Sequence, residues 1–142
     1  MKRPYNCYLT ADTIVNVGDD VLLVRRKNEP FRGMWCFPGG FVEPDEKVLD
    51  GALRELQEET GITNVVIEEF GAYGDPGRDP RGRTVTVVHR THPSQRPEAK
   101  AGDDAAEYGW FSLKNLPEMA FDHRKIAEDF KRCLEQGLFK KK

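Results

Sequence analysis

The sequence predicts one α/β (α+β) layered domain, a mixed sheet with helices packed against it. Three observations carry this. Short runs of alternating or continuous apolar residues, bounded by turn chemistry, recur along the chain as strands do. Two other segments carry apolar residues at helical spacing. The 142 residues suffice for one core and leave no room for a second domain of ordinary size, so 1–142 is read as a single unit.

In order, "YLTADTIVNV" (8–17) and "VLLVRR" (21–26) read as strands joined by a Gly18-Asp19-Asp20 turn. "NEPFRGMW" is a polar loop that leads to a short "CF" strand end before Pro38-Gly39-Gly40. Residues 46–60 read as a helix, with Gly61 placed to end it. "NVVIEEFGAY" is a strand, "GDPGRDPRGR" (74–83) is turn chemistry bearing Arg78, Arg81 and Arg83, and "TVTVVHRTH" is a strand with good alternation. The long polar loop "PSQRPEAKAGDDAAE" precedes a short strand, "YGWFSL". A last helix runs from about 122 to 136, with Ile126, Phe130 and Leu134 as a core-facing stripe, Asp122 as N-cap and Gly137 as stop. Polar loops of such length in a compact domain are where binding residues collect.

Composition narrows the function classes. With 38% hydrophobic and 32% charged residues the chain is globular, and a net charge of −2 provides no general pull toward nucleic acid or an anionic membrane. The Lys140-Lys141-Lys142 tail reads as a solvated end. Cys7, Cys36 and Cys133 follow no ligand spacing, and an odd count argues for free thiols in a reducing compartment. Asn6, Asp12 and Asn16 interrupt any signal-like run, and no window approaches the ~20 apolar residues of a membrane span. A cytoplasmic protein is expected. His89 and His92, three apart on a strand, are badly placed for a zinc pair, and His123 suggests no site.

The stretch "GGFVEPDEKVLDGALRELQEETGI" (39–62) concentrates carboxylates. At about 100° per residue, Val48, Leu49, Ala52, Leu53 and Leu56 form a broad apolar face. Glu55, Glu58 and Glu59 then make one band along its margin, with Glu59 inside the apolar arc. Like charges three and four residues apart cost a few tenths of a kcal/mol when solvated, and more when half-buried without a counterion. Either basic neighbours such as Arg54 offset them, or a hard divalent cation does. Oxygen ligands without His or Cys favour Mg²⁺ or Mn²⁺ over zinc.

Gly40, Glu46, Arg54, Glu55, Leu56, Glu58, Glu59, Gly61 and Ile62 fill every fixed position of a pattern that resembles the Nudix box, G-x5-E-x7-R-E-U-x-E-E-x-G-U with U bulky and aliphatic. The "WCFPGG" lead-in, the earlier strands and the last helix extend the likeness over nearly the whole chain. The resemblance implies a Nudix-type αβα sandwich, with a mixed central sheet and flanking helices. It implies a hydrolase that cleaves a nucleoside diphosphate linked to another moiety, using Mg²⁺ (or Mn²⁺). Carried over by position, Glu55, Glu58, Glu59 and the Gly39 carbonyl would hold the metal. A bare Gly39 is expected to let metal and phosphate approach the main chain. Glu46 and Arg54 would be the ion pair that pins the loop to the helix in support of catalysis. The general base would be a box glutamate or an acid from the later loop, among Glu98, Asp103, Asp104 and Glu107.

"DPRGRTVTVV" after "NEPFRGMWCFPGGFVE" resembles the ADP-ribose pyrophosphatase branch, with Pro76 or Pro80 in place of the proline associated with it. The expected reaction turns ADP-ribose into AMP and ribose 5-phosphate. Arg25, Trp35, Arg78, Arg81 and Asp104 are the expected substrate contacts, since guanidinium forks suit phosphate and ribose oxygens and aromatic rings suit a base. Phe31, Trp35 and Trp110 are candidates to stack on an adenine ring, and each reads more readily as a core or loop anchor. "DDAAEYGWF" supports an alternative, a MutT-type (d)NTP pyrophosphohydrolase. A non-catalytic module for ADP-ribose-like ligands is the reading from another class, and the intact glutamates weigh against it. The partner is thus a small nucleoside diphosphate derivative, with no nucleic acid and no membrane. A homodimer is implied by the branch alone.

Overall fold

The structure, a computed structural model, describes residues 5–102 and 104–139, so Asp103 and the lysine tail lie outside the described residues. The elements run β1 (Tyr8–Val17), β2 (Asp20–Arg26), β3 (Trp35–Cys36), β4 (Gly39–Phe41), α1 (Val48–Thr60), β5 (Glu68–Tyr73), β6 (Thr84–Thr91), β7 (Ala105–Ser112) and α2 (His123–Glu135).

β1 is the axis of a mixed sheet. It pairs parallel with β6, from Tyr8 opposite Thr84 to Val15 opposite Thr91, and antiparallel with β4, where Asp12 faces Gly39. At its far end it turns through a tight hairpin into β2, which also pairs antiparallel with β3 and β7. β5 closes the other edge against β6.

Side chains of successive strand residues point to opposite faces, and this decides which helix each one meets. From β1, Ala11 packs with Ala52 of α1, and Val15 packs with Leu56. Ile14 points the other way, into a cluster with Ile126 and Phe130 of α2. The helices therefore cover opposite faces, giving the expected αβα sandwich. Burying each of Leu56, Ile126 and Phe130 contributes roughly 1.5–3 kcal/mol.

Several expectations are corrected. The strand expected from 64 begins only at Glu68, because Asn64 takes φ +58° and breaks the extended chain. Gly39–Phe41 forms a strand although its two glycines carry no such signal. The last strand starts earlier than expected, at Ala105. Asp122 occupies the N-cap position but makes no side-chain cap, since its carboxylate is engaged by Arg78. The helix stops are as read: Gly61 (φ +76°) donates to Gln57 O at 2.8 Å, and Gly137 (φ +65°) follows α2.

The buried face of α1 differs most from the periodicity. Gly51, Ala52, Leu56 and Thr60 are buried, while Leu49 is 42% exposed. Ala52, Leu56 and Thr60 keep to the expected arc, and Gly51 is buried beyond it. A Cβ there would sit 2.9 Å from Glu46 Oε1 and 3.3 Å from Val42 Cγ1, so the preceding loop lies directly on the helix. The loop thus buries Gly51 on the glutamate side of the expected arc. No helix among the described residues is long and apolar enough to cross a membrane.

Candidate active site

A cleft of about 510 Å³ opens where the last turns of α1, strand β4, the 74–83 loop and residue 104 meet. Glu55, Glu58, Glu59 and Asp104 form an acidic wall, with Arg78, Asp79, Arg81 and Phe121 also lining the cleft. Thr10, Asp12 and Thr84 line it from the sheet.

Arg54 organises the acidic wall. Its Nε donates to Glu46 Oε2 at 3.1 Å and its Nη2 to Glu46 Oε1 at 2.7 Å, a bidentate fork that ties the loop to the helix. Nη2 also donates to Phe41 O at 2.9 Å. Nη1 donates to Glu55 Oε1 at 2.9 Å and to Glu58 Oε1 at 3.1 Å. The Arg54 hydrogen bonds hold Glu46 below the usual carboxylate range, aided by the Glu43 N–H. Glu46, first among its partners, keeps the Arg54 guanidinium firmly protonated.

Three box glutamates occupy three environments. Glu58 is the wettest, its side chain 56% exposed, against 14% for Glu55. Burial pushes the Glu55 carboxyl up, and the Arg54 contacts oppose that only in part. Glu59 is pushed up to about 8, by burial first and then by the charges of Glu55 and Asp104. Without a further cation Glu59 keeps its proton at neutral pH.

The bare glycines of "PGG" serve carboxylates. A Cβ on Gly40 would overlap the Glu55 carboxylate, and one on Gly39 would overlap both Asp12 Oδ1 and the Ala11 carbonyl oxygen. The missing Cβ of Gly39 thus makes room for Asp12, while Gly39 itself lines the cleft.

The donor chemistry fits a hard divalent cation. Glu55, Glu58, Glu59 and Asp104 offer oxygen alone, and their mutual repulsion is incompletely offset. Among the described residues no three acidic, His or Cys side chains converge at ligand distance, because Arg54 draws Glu55 and Glu58 to itself. Arg54 would retain Glu46 and Phe41 O if those two carboxylates turned to a cation.

Charges opposite the acidic wall are paired internally. Arg78, its side chain 4% exposed, bonds Asp122 through Nε and Nη2 at 3.0 and 2.7 Å. Arg81 grips Asp79 at 3.1 and 2.8 Å and lies between the rings of Phe41 and Phe121, 5.0 and 5.6 Å from their centroids. Burial alone would raise Asp79, but the Arg81 hydrogen bonds overcome it and hold the carboxyl low. Arg81 remains 39% exposed and presents its free edge to the cleft.

Of the expected substrate contacts, Arg78, Arg81 and Asp104 reach the cleft, and Arg25 and Trp35 do not. Arg25 donates to Gly33 O and meets Glu107 at 3.4 Å on the exposed face of β2, while its neighbour Arg26 lines the cleft. Trp35 packs edge-on against Phe111, 4.7 Å between centroids. Glu98 is exposed on its loop and Glu107 is taken by Arg25, so Asp104 is the described later-loop acid on the cleft.

Sequence reasoning misses Asp12 and His123. Asp12 is 6% exposed and accepts from Thr86 Oγ1 at 2.6 Å. The Phe37 N–H donates to His123 Nδ1 at 3.0 Å, so in the neutral ring Nε2 carries the hydrogen, 3.6 Å from Asp12 Oδ2. A lone acid inside an apolar strand is the available signal for Asp12.

A family profile described as NUDIX domain matches residues 8–130. The chain is 43% identical over 134 residues to an ADP-ribose pyrophosphatase of Methanocaldococcus jannaschii, covering 92% of this chain and 79% of that one. The NUDIX domain of Shewanella oneidensis NrtR, solved with ADP ribose, superposes with a TM-score of 0.84 at 31% identity, over 92% of this chain and 90% of that one. A bifunctional NMN adenylyltransferase/ADP ribose pyrophosphatase from Francisella tularensis, solved with AMP and a Mn ion, gives 0.78 at 33% identity; it matches 94% of this chain but only 43% of that longer one. With Gly40, Arg54, Glu55, Glu58 and Glu59 of the box lining one cleft and a profile match over most of its length, the chain belongs to the Nudix hydrolase family.

Proposed function

We propose that this protein is an ADP-ribose pyrophosphatase that hydrolyses ADP-ribose to AMP and ribose 5-phosphate with Mg²⁺ or Mn²⁺. The observation that carries the reading is one cleft of about 510 Å³ lined both by mutually repelling carboxylates and by Arg81. The likeness to an ADP-ribose pyrophosphatase over most of both chains supports the substrate.

A diphosphate repels an attacking hydroxide and departs with increased charge; the cation, when bound, supplies charge screening and Lewis acidity. The chain supplies the rest. Glu55, Glu58 and Glu59 hold the cation, and Arg54 keeps their helix in register with the loop through Glu46 and Phe41 O. Arg81, preset by Asp79 and two aromatic faces, offers guanidinium donors to phosphate or ribose oxygens. Asp104 or Glu59, both on the acidic wall, takes the proton of the attacking water. Free thiols suit a reducing compartment, and we assign the enzyme to the cytoplasm. The homodimer implied by the branch is checked by light scattering.

The test incubates the protein with Mg²⁺ and ADP-ribose, dinucleotides, nucleotide sugars or (d)NTPs, and identifies products by chromatography. AMP and ribose 5-phosphate as the preferred products support the reading. Preferred conversion of a triphosphate to monophosphate and pyrophosphate overturns it in favour of the MutT-type activity. Binding of ADP-ribose without turnover overturns it in favour of a sensor module.

A further inference from the structure

The long loop between β6 and β7 crosses the C-terminal end of α1 and completes it. The last carbonyls of a helix have no partner within it, and the last turn of α1 carries no basic residue. The loop supplies both needs. The Lys100 N–H donates to Thr60 O at 2.9 Å, and the Gly102 N–H donates to Glu59 O at 2.8 Å. The Lys100 side chain lies over Gly61.

Gly102 touches main chain with main chain. A Cβ there would collide with the Glu58 carbonyl oxygen and stand 2.9 Å from Glu59 Cα. Helix backbone cannot give way as a flexible side chain can, so any residue but glycine must lift the loop. Two residues later Asp104 lines the cleft. Ala105 N–H donates to Gly102 O at 3.2 Å, turning the chain around Asp104, and Lys27 N–H donates to Asp104 O at 3.4 Å. The pairing of β2 with β7 then shifts register between Arg25 and Arg26, as at a bulge. Bulges re-aim the chain beside sites in this way.

We propose that Gly102 is a positioning residue: its bare Cα lets the loop at Lys100 and Gly102 lie on the main chain of the last turn of α1, and that contact carries the Asp104 carboxylate into the acidic wall. The proposal rests on the hydrolase reading above. It makes the acidic wall a composite of two segments more than 40 residues apart, locked by backbone contact at the turn that bears the glutamates. The electrostatic coupling agrees, since the Asp104 charge acts on both Glu55 and Glu59.

The experiment is a double-mutant cycle of G102A and D104N, read as kcat and KM on ADP-ribose with Mg²⁺, and as Mn²⁺ affinity by electron paramagnetic resonance of the free ion. Each single variant should lower kcat by about thirtyfold with KM held within about threefold, as expected for a lost acid–base or charge contribution. Each should weaken Mn²⁺ binding by about fivefold, as a displaced nearby charge would. The double variant should be no worse than D104N within about twofold, because both remove the same contribution. Losses that multiply, or a folded G102A within about twofold of wild type in kcat and Mn²⁺ affinity, overturn the proposal. Should G102A fail to fold, K100P takes its place in the cycle, since it removes the Lys100 N–H bond to Thr60 O from the same contact: a paired loss that does not multiply with that of D104N upholds the proposal, and wild-type kcat and Mn²⁺ affinity overturn it. If the wild type spares ADP-ribose, the substrate reading falls, while Mn²⁺ affinity across the cycle still decides the role of Gly102.

Discussion

The two charged sides of the cleft are built on opposite principles. Beside the 74–83 loop the two arginines that line the cleft each have their own acid, Arg78 with Asp122 and Arg81 with Asp79, in bidentate pairs where Arg78 and Asp79 are almost fully buried. On α1 a single guanidinium, Arg54, is shared among Glu46, Glu55 and Glu58, while Glu59 and Asp104 add charge beyond its reach. The arginine side is finished in the free protein. The acidic side is left short of positive charge, which is what a site for a cation and a polyanion requires. A site complete without its ligand gains little by binding it.

The contrast can be broken in order of expected effect. Glu58→Gln should cut turnover at least about a hundredfold with the fold intact, as losing a metal ligand or base does. Near-normal rates from a folded variant would remove the acidic wall from the chemistry. Arg78→Ala should instead cost stability, about 3 kcal/mol by urea unfolding, because Asp122 loses a buried partner. A variant as stable as wild type would show that the pair is not structural. Arg81→Ala should raise KM for ADP-ribose about tenfold with a smaller change in kcat, a charge-assisted contact being worth roughly 1.5–3 kcal/mol.

A smaller effect sharpens the comparison through pH. Glu59 has a carboxyl raised from its ordinary range to about 8 by burial and neighbouring acids. Its protonated form suits the fold, so its contribution is full below the ordinary pKa of about 4.3 and is lost as pH rises through about 8. The metal-free protein should therefore lose stability over that window, Glu59→Gln should flatten the loss, and added Mn²⁺ should reverse it. Thermal melts at several pH values check this, and a flat wild-type profile would refute it. Smallest of all, Leu49→Lys should change stability by less than about 0.5 kcal/mol despite its place in the apolar periodicity, since Leu49 is already exposed.

Much of this is legible in the residues. The strands of β1, β2 and β6 declare themselves because each is a long run with turn chemistry at both ends, and α2 because Ile126 and Phe130 repeat at helical spacing. Glu55, Glu58 and Glu59 share a wall because three- and four-residue spacing on a helix leaves them little choice. Arg25 and Arg26 show the opposite case. Adjacent strand residues face opposite sides, so choosing between them requires the register against β7, and that register shifts between the two. Trp35 reads as a base-stacking partner, but Phe111 of β7, distant in sequence, packs against its ring instead.

The order of elements apart from β4, the membership of the acidic turn and the stops at Gly61 and Gly137 were determined by sequence alone, because each depends on local backbone preference or on spacing along one element. The packing of the loop at Val42 and Glu46 on Gly51, the seating of Asp12 over Gly39 and the meeting of Gly102 with the end of α1 were decided only by tertiary structure. Each arises where two different segments of the chain compete for the same few ångströms, and spacing within either segment says nothing about that encounter.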